Sequence, residues 1–128
     1  MERVGVFLCT GCEIGASLKT DGFEGLAKKD GAVQYAAHPC LCEPGGVATL
    51  RGAVDCLLIA ACSARHKQQE FRFDPTKVAV ERVSLREQVA WTHPAGHEDT
   101  QALAEDMLRM GIVKAKKMGL AKRLEETI

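Results

Sequence analysis

The chain contains the run Leu57-Leu58-Ile59-Ala60-Ala61-Cys62, in which no position is charged or strongly polar. An apolar run of this length is typical of a β-strand that is buried on both faces. A similar run covers residues 4–9, and weaker strand patterns cover residues 32–38 and 77–83. Because strands that are apolar on both faces occur mainly in parallel sheets covered by helices, the sequence predicts an α/β fold.

Helical patterns separate these four strands. Asp21 stands three residues before Glu24, which is a capping-box pattern and predicts a helix that ends near Gly31. Two further helices are predicted over residues 44–54, after Pro44, and over residues 63–71, after Ser63.

A long helix is predicted from Glu98 onward, with Leu103, Met107 and Met110 facing the core. Alternation of strands and helices with right-handed crossovers leads us to expect a flavodoxin/Rossmann-like three-layer sandwich. Its sheet is expected to have four strands and to be mostly parallel. We expect residues 1–128 to form a single α/β domain.

Composition narrows the classes of function. Lys plus Arg and Asp plus Glu both number 17, so a nucleic acid or an anionic membrane has no global attraction for the chain. No segment approaches the roughly 18 apolar residues that a membrane helix needs. We expect a cytoplasmic protein without membrane insertion or a nucleic-acid partner. Thiols stay reduced there, so the six cysteines are expected to bind metal, to react or to be buried.

Five of the six cysteines follow predicted strands. In an open parallel sheet the carboxyl ends of the strands share one edge, and ligands bind there. Four thiolates are the usual complement of a 2Fe–2S or 4Fe–4S cluster. The candidate ligands are Cys9, Cys12, Cys42 and Cys62.

Two cysteines stand apart from this set. Cys40 and Cys42 are separated by one residue, and on an extended segment their side chains point to opposite faces, so we expect one ligand from the pair. Cys56 begins the third strand, at the opposite edge of the sheet, and is expected to be a buried core residue.

Cations and histidines also accompany the predicted site. Arg65, Arg86 and Lys67 are expected near the anionic thiolates, where positive charge raises the reduction potential of a cluster. The histidines, which are His38, His66, His93 and His97, leave open a zinc site of mixed cysteine and histidine ligands. The sequence supports two roles for Trp91 equally, packing under the terminal helix and electron transfer.

Several of these segments together resemble a known family. Ala60-Ala61-Cys62-Ser63-Ala64-Arg65 and Arg86-Glu87-Gln88-Val89-Ala90-Trp91-Thr92-His93 are the specific parts, and residues 4–9 and 41–42 agree with them. The sequence resembles the N-terminal domain of the A subunit of heterodisulfide reductase from about residue 2 to the basic stretch near Lys117. The resemblance implies a flavodoxin-like unit with an iron–sulfur cluster that passes electrons between protein subunits.

Carried over by position, the resemblance implies ligation by Cys9, Cys12, Cys42 and Cys62, with Cys40 as the substitute for one of them. It favours a 4Fe–4S cluster over 2Fe–2S. The chain departs from the family in two places. Val89 stands where the family commonly has a cysteine, and the first motif is Cys-x-x-Cys rather than Cys-x-Cys. The latter feature is closer to the delta subunit of methyl-viologen-reducing hydrogenase, which has a 2Fe–2S cluster.

The leading hypothesis is therefore a non-catalytic electron-transfer subunit or domain of an oxidoreductase complex similar to heterodisulfide reductase. It would relay electrons between a flavoprotein or iron–sulfur partner and a disulfide- or sulfur-metabolising enzyme. Two alternatives stay open at this point. One is a metal-free thiol–disulfide or sulfur-carrier protein using Cys9 and Cys12, and the other is a zinc-stabilised binding module.

Overall fold

The computed structural model describes residues 2–120 and contains one four-stranded parallel sheet. The strands lie in the order β2-β1-β3-β4, and the two central ones are buried along their whole length. The strand bounds are β1 (Val4–Cys9), β2 (Gln34–His38), β3 (Cys56–Ala61) and β4 (Ala79–Ser84). The α/β fold with a four-stranded parallel sheet is confirmed.

The larger hydrophobic core lies on one face of the sheet, beneath four helical segments. These are α1 (Ile14–Ser17), α2 (Phe23–Lys29), a π-helical turn (Arg86–Ala90) and α4 (Glu98–Lys117). Val4, Val6 and Leu8 of β1 pack there with Phe23 of α2 and Leu108 of α4. The predicted capping box is wrong, since α2 begins after Gly22 and no side chain caps it.

The terminal helix buries a different stripe from the one predicted. Ala104, Leu108 and Ile112 are fully buried, whereas Met110 is 61% exposed, so its predicted place in the core is wrong. Leu103 and Met107 do pack against the core, although they are only partly buried. The reason is the 3.6-residue period, which turns Met110 away from the face that Leu108 and Ile112 define.

The opposite face of the sheet is covered mostly by loops. Phe7, Leu57 and Ile59 pack there against loop residues such as Leu41 and Phe71. The only helix on this face among residues 2–120 is α3 (Pro44–Val47), a single turn, so the prediction of a helix through residue 54 is wrong in extent. Helix propensity explains the short length, because two glycines follow Pro44.

The helix predicted over residues 63–71 is also absent. Lys67 has a φ of +57°, which interrupts a right-handed helix. In addition, the carbonyl oxygens of Ser63 and His66 accept hydrogen bonds from the Arg82 guanidinium. A side chain from β4 therefore fixes the loop in a conformation that is not helical.

The strand order places a topological switch point between β1 and β3. From β1 the chain crosses to β2 on one side, and it then returns to β3 on the other side. Ligands of open α/β sheets bind in the crevice at the carboxyl ends of the strands at such a point. Residues 2–120 include no helix that is both long enough and apolar enough to cross a membrane.

Candidate metal centre

The carboxyl ends of β1 and β3 bring the first two cysteines together at the switch point. Cys9 is the last residue of β1, and Cys62 directly follows β3. They are 7% and 9% exposed, so both thiols lie almost entirely below the surface. The two strands are hydrogen-bonded neighbours, with Leu8 paired with Ala60.

The loop after β1 has an unusual backbone. Cys12 and Glu13 have φ values of +51° and +72°, a left-handed conformation that is uncommon for residues other than glycine. Gly11 approaches the neighbouring loop so closely that a Cβ atom there would lie 2.2 Å from the carbonyl oxygen of Pro39. Strained backbone of this kind concentrates at functional sites, and here it presents the exposed thiol of Cys12 to the switch point.

The loop after β2 holds two cysteines in contact. The Sγ atoms of Cys40 and Cys42 are 3.5 Å apart, so the expectation that they point to opposite faces is wrong. The segment is a turn rather than an extended strand, which removes the alternation of side chains. The backbone N–H of Cys40 donates to Nδ1 of His38, and Gly46 packs directly against the backbone of the turn.

These three loops surround one cavity. Its lining includes five free cysteines, which are Cys9, Cys12, Cys40, Cys42 and Cys62. All four predicted ligands are therefore brought together, and a fifth sulfur joins them. Lys67 and Arg86 also line the cavity, as does His66. The cavity as it stands encloses about 50 Å³, so a multi-atom cofactor requires its solvent-exposed side, where Cys12 lies, to open.

The sixth cysteine lies at the other end of the sheet, as predicted. Cys56 begins β3 and is fully buried. Burial, together with the negative charge of Glu81, raises the pKa of its thiol to about 11. Cys56 therefore remains a neutral core residue.

Arg82 is a site residue that the sequence interpretation missed. Its Nη2 donates to Sγ of Cys62 at 3.2 Å and to the carbonyl oxygens of Cys62 and Ser63. The guanidinium also lies over the ring of Phe71, 4.6 Å from its centroid. The available signal was the arginine at position 82 inside a predicted strand, because arginine is seldom buried in proteins unless it has a partner.

The π-helical turn supplies a second arginine. Arg86 Nη2 donates to Glu87 at 2.8 Å, and the other Glu87 oxygen accepts from the backbone N–H of Ser63. The hydrogen bond to Glu87 raises the pKa of Arg86, and one to Cys12 adds to the effect. Arg86 Nε is buried without a partner among the described residues. Trp91 is 54% exposed and stacks on Arg86 at 4.3 Å, so packing under α4, one of its two predicted roles, is wrong.

The other candidate residues lie apart from the cavity. Arg65 is exposed and does not line it, and its backbone N–H donates to the Ser63 hydroxyl. His93 contacts Thr92, and His97 caps α4 by accepting from the backbone N–H of Asp99. Of the four histidines, only His66 lines the cavity.

The donor set determines which cofactor chemistry fits. Burial raises the pKa of the Cys62 thiol, and the charges of Arg82 and Arg86 oppose that effect.

Within residues 2–120, no three Cys, His, Asp or Glu side chains converge closely enough to hold a single metal ion. The sulfurs instead lie around a cavity beside cationic groups. A 4Fe–4S cluster takes four thiolates, one on each iron, so it does not need three side chains on one metal ion, and the sulfurs present fit that group.

The fold and the cavity define a parallel α/β domain with a cysteine-lined crevice at its switch point. No family model matches the sequence. The chain is 29% identical over 126 residues to the A subunit of the ferredoxin/F(420)H(2)-dependent CoB-CoM heterodisulfide reductase of Methanosarcina acetivorans. It is 27% identical over 128 residues to the A subunit of the H(2)/formate:CoB-CoM heterodisulfide,ferredoxin reductase of Methanococcus maripaludis.

These alignments cover 89% and 91% of this chain but only 16% and 20% of the two relatives. The corresponding subunit of the ferredoxin:CoB-CoM heterodisulfide reductase of Methanosarcina mazei is similar to the same degree, with 29% identity over 126 residues. The similarity supports a distant relationship between this chain and one part of a much longer oxidoreductase subunit.

Proposed function

We propose that the chain is an iron–sulfur electron-transfer module of a complex similar to heterodisulfide reductase. The observation that carries this proposal is the convergence of five reduced cysteines from three separate loops on one cavity. The names of the relatives, all of them subunits of reductases, agree with a redox role. When bound, the cluster supplies one-electron transfer, and the chain holds it and sets its surroundings.

The ligands in this proposal are Cys9, Cys12, Cys42 and Cys62, around a 4Fe–4S cluster in preference to 2Fe–2S. Three further side chains act on the sulfurs. The Arg82 guanidinium donates to Cys62, and Arg86 and Lys67 line the cavity. Because hydrogen bonds and positive charge near sulfur stabilise the reduced, more negative state, these residues are proposed to raise the reduction potential.

Cys12, which lines the cavity, and Trp91, which stacks on Arg86, are both exposed, and this supports a site that a partner can reach. We propose that a flavoprotein or iron–sulfur subunit docks there and exchanges electrons with the site. The chain, as one domain over residues 1–128, would then pass them toward a disulfide- or sulfur-metabolising enzyme. It would carry out no substrate chemistry of its own.

An anaerobic redox titration of the purified chain, followed by visible absorbance, tests this function. We expect a sulfide-to-iron absorption band that bleaches on reduction and returns on reoxidation. Its absorbance plotted against potential should follow the Nernst equation for a one-electron couple. The Cys42→Ser variant is expected to lack the band. A protein with iron and sulfide bound but no reversible reduction would contradict the electron-transfer role.

A further inference from the structure

The cavity contains one sulfur more than a four-thiolate site uses. Cys9, Cys12 and Cys62 come from the loops after the two central strands, whereas Cys40 and Cys42 share a single turn. The two thiols of this turn are already in contact, with 3.5 Å between their Sγ atoms. The fifth sulfur therefore lies directly against a proposed ligand, and a bond between the two requires their Sγ atoms to approach by about 1.5 Å.

The turn itself holds the two thiols together. The backbone N–H of Cys40 donates to His38 Nδ1 at 2.9 Å, and the backbone N–H of Glu43 donates to the carbonyl oxygen of Cys40 at 3.3 Å. Leu41, between the two cysteines, is 1% exposed and anchors the turn in the core. Since only one residue separates the thiols, little chain entropy opposes their joining.

We infer that Cys40 and Cys42 form a reversible disulfide that withdraws Cys42 from the metal site, so that oxidation of this pair and cluster binding exclude one another. The mutual exclusion of disulfide and cluster rests on the proposed function, because Cys42 is needed as a thiolate only if the site binds a cluster. A disulfide sulfur carries no negative charge to donate to iron, so the oxidised turn leaves three of the four ligands.

The reaction partner is a low-molecular-weight disulfide. The Cys42 thiolate attacks one sulfur of that molecule, its S–S bond breaks, and one small thiol leaves. The Cys40 thiolate then attacks the sulfur of Cys42 and releases the second small thiol. Two S–H bonds of the chain are replaced by one S–S bond, the chain is oxidised by two electrons, and the external disulfide is reduced to two thiols.

The pairing is tested on the metal-free chain. Fully reduced protein is treated with glutathione disulfide without oxygen, remaining thiols are alkylated, and the peptides are mapped by mass. We expect the peptide with Cys40 and Cys42 to carry no alkyl group and to be lighter by two hydrogens than its dithiol form, while Cys56 is recovered alkylated because it was still a thiol. A stable mixed disulfide with glutathione on this turn, or a bond between Cys9 and Cys12 instead, would overturn the inference.

The exclusion is tested by reconstitution with iron and sulfide in the absence of thiol reductant, and mass mapping of a parallel sample without iron checks that sulfide leaves the bond between Cys40 and Cys42 intact. Oxidised wild-type protein is expected to take up less than about a fifth of the iron that the reduced protein takes up, and reduction should restore uptake. Reduced Cys40→Ser is expected to take up as much iron and sulfide as reduced wild type, and its failure to do so would overturn the assignment of Cys40 as the spare thiol.

The two proposals fail differently. If reduced wild type takes up no iron or sulfide, the proposed function and the exclusion both fail, and the mass map alone decides the disulfide. If the oxidised and reduced proteins take up iron equally, the exclusion fails while the proposed function stands.

Discussion

The two ends of β3 carry the same type of residue in opposite surroundings. Cys56, at the amino end, is fully buried, and the pKa of its thiol is raised to about 11. Cys62, just beyond the carboxyl end, lines the cavity and accepts a hydrogen bond from Arg82. Position along the strand, rather than the type of residue, therefore decides whether a thiol belongs to the core or to a ligand site.

The backbone conformation also differs between the two ends of the sheet. At the amino end, the N–H of Asp55 donates to the carbonyl oxygen of Arg3 at 2.7 Å, which continues the regular bonding of the sheet. At the carboxyl end, the loops contain Cys12, Glu13 and Lys67, all at positive φ. Because such conformations cost free energy, their concentration at one edge indicates that this edge is shaped for binding rather than for stability.

The largest expected effect separates the two cysteines directly. Cys62→Ala removes a proposed ligand, so we expect the iron content after anaerobic reconstitution to fall below about a tenth of the wild-type value. Cys56→Ala is the matched control, and it should keep its iron while losing about 1 kcal/mol of unfolding free energy through the small cavity it creates. Equal iron in the two variants would contradict the difference between the two ends.

A smaller effect is expected from the loop backbone. Gly11→Ala places a Cβ 2.2 Å from the carbonyl oxygen of Pro39, so it should lower the free energy of unfolding of the metal-free protein by about 1–3 kcal/mol. Gly25→Ala is the control, since nothing lies within 4 Å of its Cβ on α2 and alanine favours helix by about 1 kcal/mol. Urea denaturation measures both. The same sign of change in the two variants would show that the loops do not pack as described.

A third effect is a pH dependence of stability at the amino end. In the unfolded chain Cys56 ionises near its ordinary pKa of about 8.5, whereas in the folded protein its pKa is about 11. Its contribution to stability is therefore present below pH 8.5 and is lost as the pH rises to 11. The unfolding free energy of wild type relative to Cys56→Ala should fall over that interval.

The same comparison cancels the other groups whose pKa is raised in the alkaline range. Burial raises the pKa of Tyr35 to about 12, and this residue is present in both proteins. A difference between wild type and Cys56→Ala that stays constant from pH 8 to 11 would contradict the proposed protonation of Cys56.

The central strands and the convergence of cysteines could be predicted from sequence, because both follow from local patterns. The runs at residues 4–9 and 57–62 are apolar throughout, and the carboxyl ends of parallel strands necessarily share an edge. Cys9 and Cys62 could thus be placed without knowledge of any tertiary contact. The four-ligand set remains a proposal, although its members do lie around one cavity.

The missed features depend on specific contacts that residue propensities do not describe. The loop over residues 63–71 is set by Arg82, which is distant in sequence and bonds to its carbonyl oxygens. The contact between Cys40 and Cys42 depends on a turn whose geometry involves His38 and Gly46. Local propensity contains no term for either interaction, so a helix and an extended segment were predicted instead.

The measurement that tests the central claim most directly is the content of iron and acid-labile sulfide per chain in protein purified under strict anaerobiosis. The proposed four-thiolate site predicts about four iron and four sulfide for 4Fe–4S, and about two of each would assign the cluster as 2Fe–2S instead. Zinc near one per chain without sulfide, or no metal even after reconstitution of the reduced protein, would contradict an iron–sulfur centre at the carboxyl edge of this sheet.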